Sequence, residues 1–335
     1  MSALSVDPLW PRAGDWPAPD EKTAPDAVLL GIPAWRTSLS PTGAGETPAA
    51  VREALRRFSP TVLGPPPLDL TAALTIADAG DVDDPDGRDG EARVRAAVAA
   101  LSAARLVIAL GGDNSATYGV AQGRGVGGLI TLDAHFDLRD GESNGSPVRR
   151  LIADGLDPRR IVQIGIADFA NSAAYAQRAL DAGITVITLD EVRRRGIDEV
   201  VAEALRIARG TGVSPANGPV EWADGHAVAS PTDDPTTRTS APAPGHAAAA
   251  ASGIHLDIDV DVCDRSVAPG CPASVPGGLA AWELRALARG LARDPGVTSA
   301  DIVEVDATAD TPDARTVRLA ALCVLELLAG MAERR

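Results

Sequence analysis

Two stretches decide the architecture: Gly128-Leu129-Ile130-Thr131-Leu132-Asp133-Ala134-His135-Phe136-Asp137 and Gly253-Ile254-His255-Leu256-Asp257-Ile258-Asp259-Val260-Asp261-Val262-Cys263-Asp264. Each is an apolar run that ends in acidic or imidazole groups at alternate positions. An apolar run of this length without a polar face reads as a strand covered on both sides. Side chains two apart on a strand project the same way. The pattern therefore predicts that Asp133, His135 and Asp137 converge, and that Asp259 and Asp261 do the same. Buried carboxylates without counter-charge are costly. A pair of divalent cations removes that cost and, ~3.5–4 Å apart, activates water between them. The stretches imply a hydrolase built around two metal ions.

Outward from them, further Val/Ile/Leu-rich runs predict strands at Ala27–Pro33, Ala73–Ala79, Arg105–Leu110, Gly128–Asp133, Arg160–Gly165, Ile184–Leu189, Gly253–Val260 and Asp301–Val305. Helical stretches fall between them: Pro48–Phe58 with Thr47 as N-cap, then Gly90–Ala104, Asn171–Ala182, Ile197–Arg209, Ala280–Arg293 and Ala314–Ala332. Alternating β and α units predict an α/β fold, a three-layer α/β/α sandwich on a mostly parallel eight-stranded sheet. In such sheets ligands bind beyond the carboxyl ends of the strands, where both acidic motifs fall.

The chain has 335 residues and a net charge of −15, which argues against nucleic acid or an anionic membrane as partner. Lys22 is its only lysine. No run of apolar residues is long enough to span a bilayer, and no basic, apolar leader opens the sequence. Cys263, Cys271 and Cys323 form no even framework, which suits a reducing compartment, and the expected location is the cytoplasm. The expected organisation is one domain over 1–335. It is interrupted at 211–252 by a Pro/Ala/Thr/Ser/Gly-rich, low-complexity insertion expected to be disordered. His226 and His246 lie in that insertion and are discounted as ligands. The first 25 residues, with several prolines and three aspartates, also read as loosely ordered.

With those motifs in place, the chain resembles the ureohydrolase family of arginases, agmatinases and formimidoylglutamases. Five blocks carry the resemblance: Asp78-Ala79-Gly80-Asp81-Val82, Gly111-Gly112-Asp113-Asn114-Ser115, Asp133-Ala134-His135-Phe136-Asp137, the segment from Asp259 to Leu279, and Glu304 to Asp310. The resemblance implies C–N bond hydrolysis in an amidine or guanidino compound with two Mn²⁺ per subunit. It implies that Asp133 and Asp259 bridge the ions, that His135 and Asp261 complete one site, and that Asp137 serves the other. The family's histidine in the Gly-Gly-Asp-His block is replaced by Asn114, a weaker donor, so the site it shares with Asp137 would bind less tightly. Asn114 also reads as a cap for the helix that follows. Glu304 would face the substrate's nitrogen group. Asp264 and Asp310 read as structural, and His255 as a packed or hydrogen-bonded histidine. Asp257 has no assigned role.

Arg139 selects the substrate class. The run from His135 to Arg139, followed by Asn144-Gly145-Ser146-Pro147, resembles the formimidoylglutamase loop, as does Asn171-Ser172 further on. The resemblance implies that Arg139, with Asn144 and Ser146, binds substrate, Arg139 gripping a carboxylate bidentately. The leading expectation is N-formimino-L-glutamate hydrolysed to L-glutamate and formamide, in histidine degradation. The alternatives are an agmatinase-like or guanidino-acid amidinohydrolase releasing urea, and a non-catalytic metal-binding homologue. By family analogy the expected assembly is a homotrimer or homohexamer.

Overall fold

Uninterrupted Val, Ile and Leu runs give a sheet whose strands are buried on both faces. A computed structural model of the chain describes residues 7–20, 24–211 and 253–334. Its sheet comprises β1 (Ala27–Ile32), β2 (Ile76–Asp81), β3 (Leu106–Gly111), β4 (Gly128–Leu132), β5 (Ile161–Ile166), β6 (Thr185–Thr188), β7 (Ile254–Asp259) and β8 (Val297–Val303). The order is β2-β1-β3-β8-β7-β4-β5-β6, and every pairing is parallel. All residues of β1, β3, β4, β5 and β7 are buried.

Alternation along these strands assigns the two faces. Leu29, Ile108, Leu110, Ile130, Leu132, Leu256, Ile258 and Ile302 pack with the helices Thr47–Leu55, Ile197–Ala208, Ala281–Ala292 and Arg315–Ala332. The opposite face carries three separate apolar clusters, the smallest formed by Val28, Ala77, Ala104 and Val107. Leu30, Ile32, Ala109 and Val303 meet helices Gly87–Ala100 and Ser115–Arg124. Leu129 and Ile161 meet helices Pro147–Ala153 and Ala173–Ala182. Between these clusters the same face bears a buried polar seam, in which Asp301, Asp257, Thr131 and Gln163 follow one another across β8, β7, β4 and β5 in register. His255 lies on it too, bonded to Ser299 Oγ at 2.9 Å and to Asp301 Oδ2 at 3.1 Å. This is the hydrogen-bonded histidine expected from the sequence.

Several boundaries differ from expectation. β8 begins at Val297, four residues before the predicted start, because Thr298 and Ser299 look like loop residues although Ser299 spends its polarity inside, on His255. Residues Leu70–Ala73 form a helical turn capped by Asp69, so β2 starts later than read. Thr47 is not an N-cap: it lies inside its helix, fully buried, and its hydroxyl donates to the Val305 carbonyl. Helices Pro147–Ala153 and Leu189–Arg195 were not anticipated, and Thr188 and Glu191 close a capping box on the second. The described part of the N-terminal region, residues 7–20, is mostly exposed but is tied to the domain at two points. Ala13 is buried with its N–H on the Phe58 carbonyl, and Pro17 O accepts from Asp78 N. The predicted insertion lies outside the described residues, apart from its first residue. The described chain leaves at Thr211 and returns at Gly253, whose carbonyl accepts from Gly127 and Gly128 at the amino end of the sheet.

Gly112, just past β3, joins the sheet to its carboxyl-end loops. Its N–H donates to Ile32 O and its carbonyl accepts from Glu304 N at 2.8 Å. A β-carbon there would lie 1.8 Å from Ala34 O. Gly112→Ala is expected to destabilise the fold by roughly 1–3 kcal/mol through overpacking against backbone that cannot yield. Urea unfolding of the metal-free protein measures it.

Candidate metal centre

The carboxyl ends of four neighbouring strands, β3, β8, β7 and β4, deliver Asn114, Glu304, Asp259 with Asp261, and Asp133 to Asp137 in turn. Strand alternation is not what brings them together. β4 ends at Leu132, so Asp133, His135 and Asp137 all lie in the loop beyond it. β7 ends at Asp259, and Asp261 sits in the 3₁₀ turn Val260–Val262, whose start is closed by Asp261 N donating to Asp259 Oδ1 at 2.8 Å. Asp133 Oδ1 likewise accepts from His135 N at 2.6 Å. The carboxylates thus fold their own loops back over the strand ends. Asp137 and Glu304 adopt left-handed backbone, with φ of 52° and 61°. That conformation is costly for a residue with a β-carbon and clusters at functional sites.

Asp133, His135 and Asp261 each offer a ligand atom within 4.8 Å of the others. His135 Nδ1 lies 2.7 Å from Asp261 Oδ2 and 3.6 Å from Asp133 Oδ1. Burial works against a charged imidazole, yet the Asp261 and Asp133 carboxylates outweigh it and push His135 up to about 12. Asp261 is buried, but the same imidazole holds it below the usual carboxylate range. Burial, then repulsion from Asp261, pushes Asp133 up to about 7. Asp137 and Asp259 are pushed well above the ordinary range, first by burial and then by neighbouring carboxylates. Burial pushes Glu304 up to about 7 against the opposing hydrogen bonds from Asn144 and Asn114 N, both 2.8 Å to Oε1. Asp133 Oδ2 is buried with no hydrogen-bond partner. Without a cation these groups share protons, and an unpartnered buried oxygen amid crowded carboxylates is what a divalent ion satisfies. Oxygen donors with a single imidazole fit Mn²⁺.

Asn114 occupies the N-cap position of helix Ser115–Arg124, but its side chain makes no capping bond. Asp113 accepts from Ser115 N instead, at 3.1 Å. The Asn114 amide nitrogen donates to Asp137 Oδ2, and its oxygen accepts from Thr117 Oγ1 at 2.6 Å. Its side chain therefore faces the cluster. Asp264 and Asp310 act structurally: Asp264 accepts from Gly277 N at 2.6 Å, and Asp310 from Val317 N at 3.0 Å, where the last helix begins. Asp257 lies in the polar seam with both oxygens unpartnered, raised well above the ordinary range by burial and by Asp301 opposite it.

A cavity of about 240 Å³ opens on the cluster, lined by His135, Asp137, Asp259, Asp261 and Glu304 together with Arg139, Asn144, Asn171, Ser172 and Tyr175. Among the described residues the Arg139 guanidinium has no ion pair or hydrogen bond. Its stem crosses Gly145, where a β-carbon would lie 2.8 Å from Arg139 Cδ. Ser146 is not part of the lining. It is fully buried and closes a turn on Ser143, donating to Ser143 O and accepting from Ser143 N, both at 2.8 Å. Tyr175 was not anticipated, since it enters the lining only through the placement of helix Ala173–Ala182.

The sequence profile of the arginase family matches residues 25–215 and 231–330, and the chain belongs to that family. It is 31% identical over 320 residues to a formimidoylglutamase of Bacillus subtilis, covering 91% of this chain and 86% of that one. It is 30% identical over 332 residues to a guanidinopropionase of Pseudomonas aeruginosa, covering 95% and 90%. The crystal structure of the B. subtilis formimidoylglutamase superposes with a TM-score of 0.81 at 29% identity, over 99% of this chain and 95% of that one.

The raised carboxylates make a pH prediction. Asp133 and Glu304 hold protons in the folded metal-free protein up to about pH 7, which unfolded carboxylates release near pH 4. The folded state therefore binds more protons between those values, and metal-free stability falls as pH rises through that window. Mn²⁺ displaces the protons, so its stabilising effect should grow over the same range. Melting temperatures with and without Mn²⁺ from pH 5 to pH 7.5 check this; a constant difference contradicts it.

Proposed function

We propose that this chain is a manganese-dependent hydrolase that cleaves the formimino C–N bond of N-formimino-L-glutamate, giving L-glutamate and formamide. The observation that carries the reading is the composition of the cavity. Every described carboxylate in its lining (Asp137, Asp259, Asp261 and Glu304) belongs to the cluster, and the single guanidinium, Arg139, has no partner. No acidic side chain is left over to receive an ammonium group. N-formimino-L-glutamate has no free amine, because its α-nitrogen carries the formimino group, and it brings carboxylates for Arg139. Arginine, with an α-ammonium, is a poor match.

In this reading Asp133, His135, Asp259 and Asp261, with Asp137 and Asn114 beside them, would hold two Mn²⁺ ions. Asn114 presents its nitrogen to Asp137, so its amide must turn over to offer oxygen, which makes it a weaker donor. The metal supplies Lewis acidity and a water-derived nucleophile near neutral pH. Glu304, anchored through Oε1, keeps Oε2 for the amidine nitrogen and can hold or release a proton there near neutrality. Arg139 pairs with a substrate carboxylate bidentately and orients the reacting carbon, while Asn144 fixes Glu304. We place the reaction in the cytoplasm, in keeping with three free, buried cysteines, and the chain in a homo-oligomer by analogy with its family. No described helix is long and apolar enough to cross a membrane.

The resemblance to a guanidinopropionase supports a second reading, since a guanidino acid also pairs a cationic head with a carboxylate and has no ammonium. Purified protein with Mn²⁺ should release formamide and glutamate from N-formimino-L-glutamate. Urea from guanidinopropionate would establish the second reading, and no product from any amidine would overturn both.

Arg139→Ala is expected to raise KM for an acidic substrate roughly 10- to 100-fold, the loss of a charge-assisted pair, and to spare the response to agmatine. Steady-state kinetics on both substrates decide it. Equal losses would make Arg139 structural.

A further inference from the structure

Asn171 grips the backbone on both sides of His135. Its Nδ2 donates to Ala134 O at 2.8 Å, and its Oδ1 accepts from Phe136 N at 3.2 Å. The chain bends at Ala134 and His135, just past the end of β4. No strand is available there. β4 and β5 have ended, and their last peptide links are Asp133 N to Ile164 O and Ala167 N to Ala134 O. A primary amide carries a donor and an acceptor side by side, as a peptide group does. Asn171 thereby holds both peptides that flank His135 at the point where the chain bends away from the sheet. Gln163 Nε2, reaching Phe136 O at 3.0 Å, adds a third bond to the same three-residue stretch.

The stretch so held carries the imidazole 2.7 Å from Asp261 and leads directly into Asp137. We infer that Asn171 is a positioning residue for the metal centre: acting through the Ala134 and Phe136 peptides, it fixes His135 in the direction that a divalent cation needs. The inference rests on the metal-site reading above. Its third contact, from Nδ2 to Ala167 O at 3.3 Å, ties the clamp to its own loop, so the amide has little freedom to follow a moving imidazole. Without the clamp the Phe136 N–H loses its partner and the Ala134 carbonyl keeps only the Ala167 N–H, so the imidazole loses part of what presets its orientation.

Mn²⁺ titration of the metal-free full-length protein by calorimetry, paired with its thermal unfolding, tests this. Asn171→Leu should raise the Kd for Mn²⁺ about 10- to 100-fold, the usual effect of losing a partner that orients a ligand. The metal-free melting temperature should stay close to wild type. A lowered melting temperature with unchanged Mn²⁺ affinity would make Asn171 merely structural and overturn the inference. If the leucine variant fails to fold, Asn171→Ala, which adds no bulk, decides by the same comparison. Failure of the wild type to bind Mn²⁺ would overturn the metal-site reading and this inference with it. Binding by the wild type with unchanged affinity in the variants would overturn this inference alone.

Discussion

Like charges crowded at one end of a parallel sheet are the constraint on which the rest depends. Asp133, Asp137, Asp259, Asp261 and Glu304 are all buried where β8, β7 and β4 end side by side. Each needs its charge answered. Backbone amides answer part of it: His135 N, Asp261 N, Ala134 N and Asn114 N each donate to one of these carboxylates. His135 answers another part with a full positive charge. Protons answer the remainder until a cation replaces them. The loops beyond the strands have the shapes that these hydrogen bonds require, including left-handed backbone at Asp137 and Glu304.

The polar seam shows the same constraint one layer deeper. A sheet face that carries apolar clusters would normally be apolar throughout. Here Asp301, Asp257, Thr131 and Gln163 cross it in register, and several of their atoms lack partners. The fold therefore carries polar groups directly under the site, while the other face packs its aliphatic side chains against four helices in one continuous cluster.

Much of this was legible in the sequence because burial on two faces leaves a strong mark. Runs such as Leu106–Leu110 and Ala27–Leu30 have no polar face to confuse them with amphipathic helix. β8 was misplaced because Thr298 and Ser299 look like loop residues when their partner, His255, lies on another strand. The acidic and imidazole groups were found for a reason that proved incomplete, since turn-closing hydrogen bonds, and not strand alternation, gather them. Ser146 reads as a substrate residue only through the resemblance of its loop to that of formimidoylglutamases, and its bond to Ser143 three residues back leaves no trace in composition. The grip of Asn171 on Ala134 and Phe136 joins positions 35 to 37 residues apart and depends wholly on where two loops meet.

The chain leaves the described structure at Thr211 and re-enters it at Gly253, beside the start of β4 and on the far side of the sheet from the catalytic loops. The helix Ile197–Ala208 runs back from β6 and so ends at that amino face. Parallel topology thereby divides the surface into a working pole and an idle one. The idle pole is where Gly127 and Gly128 bond to the Gly253 carbonyl, away from the cluster. It is the natural attachment point for a reporter or affinity module spliced into the chain, since cargo leaving from there points away from the substrate entrance.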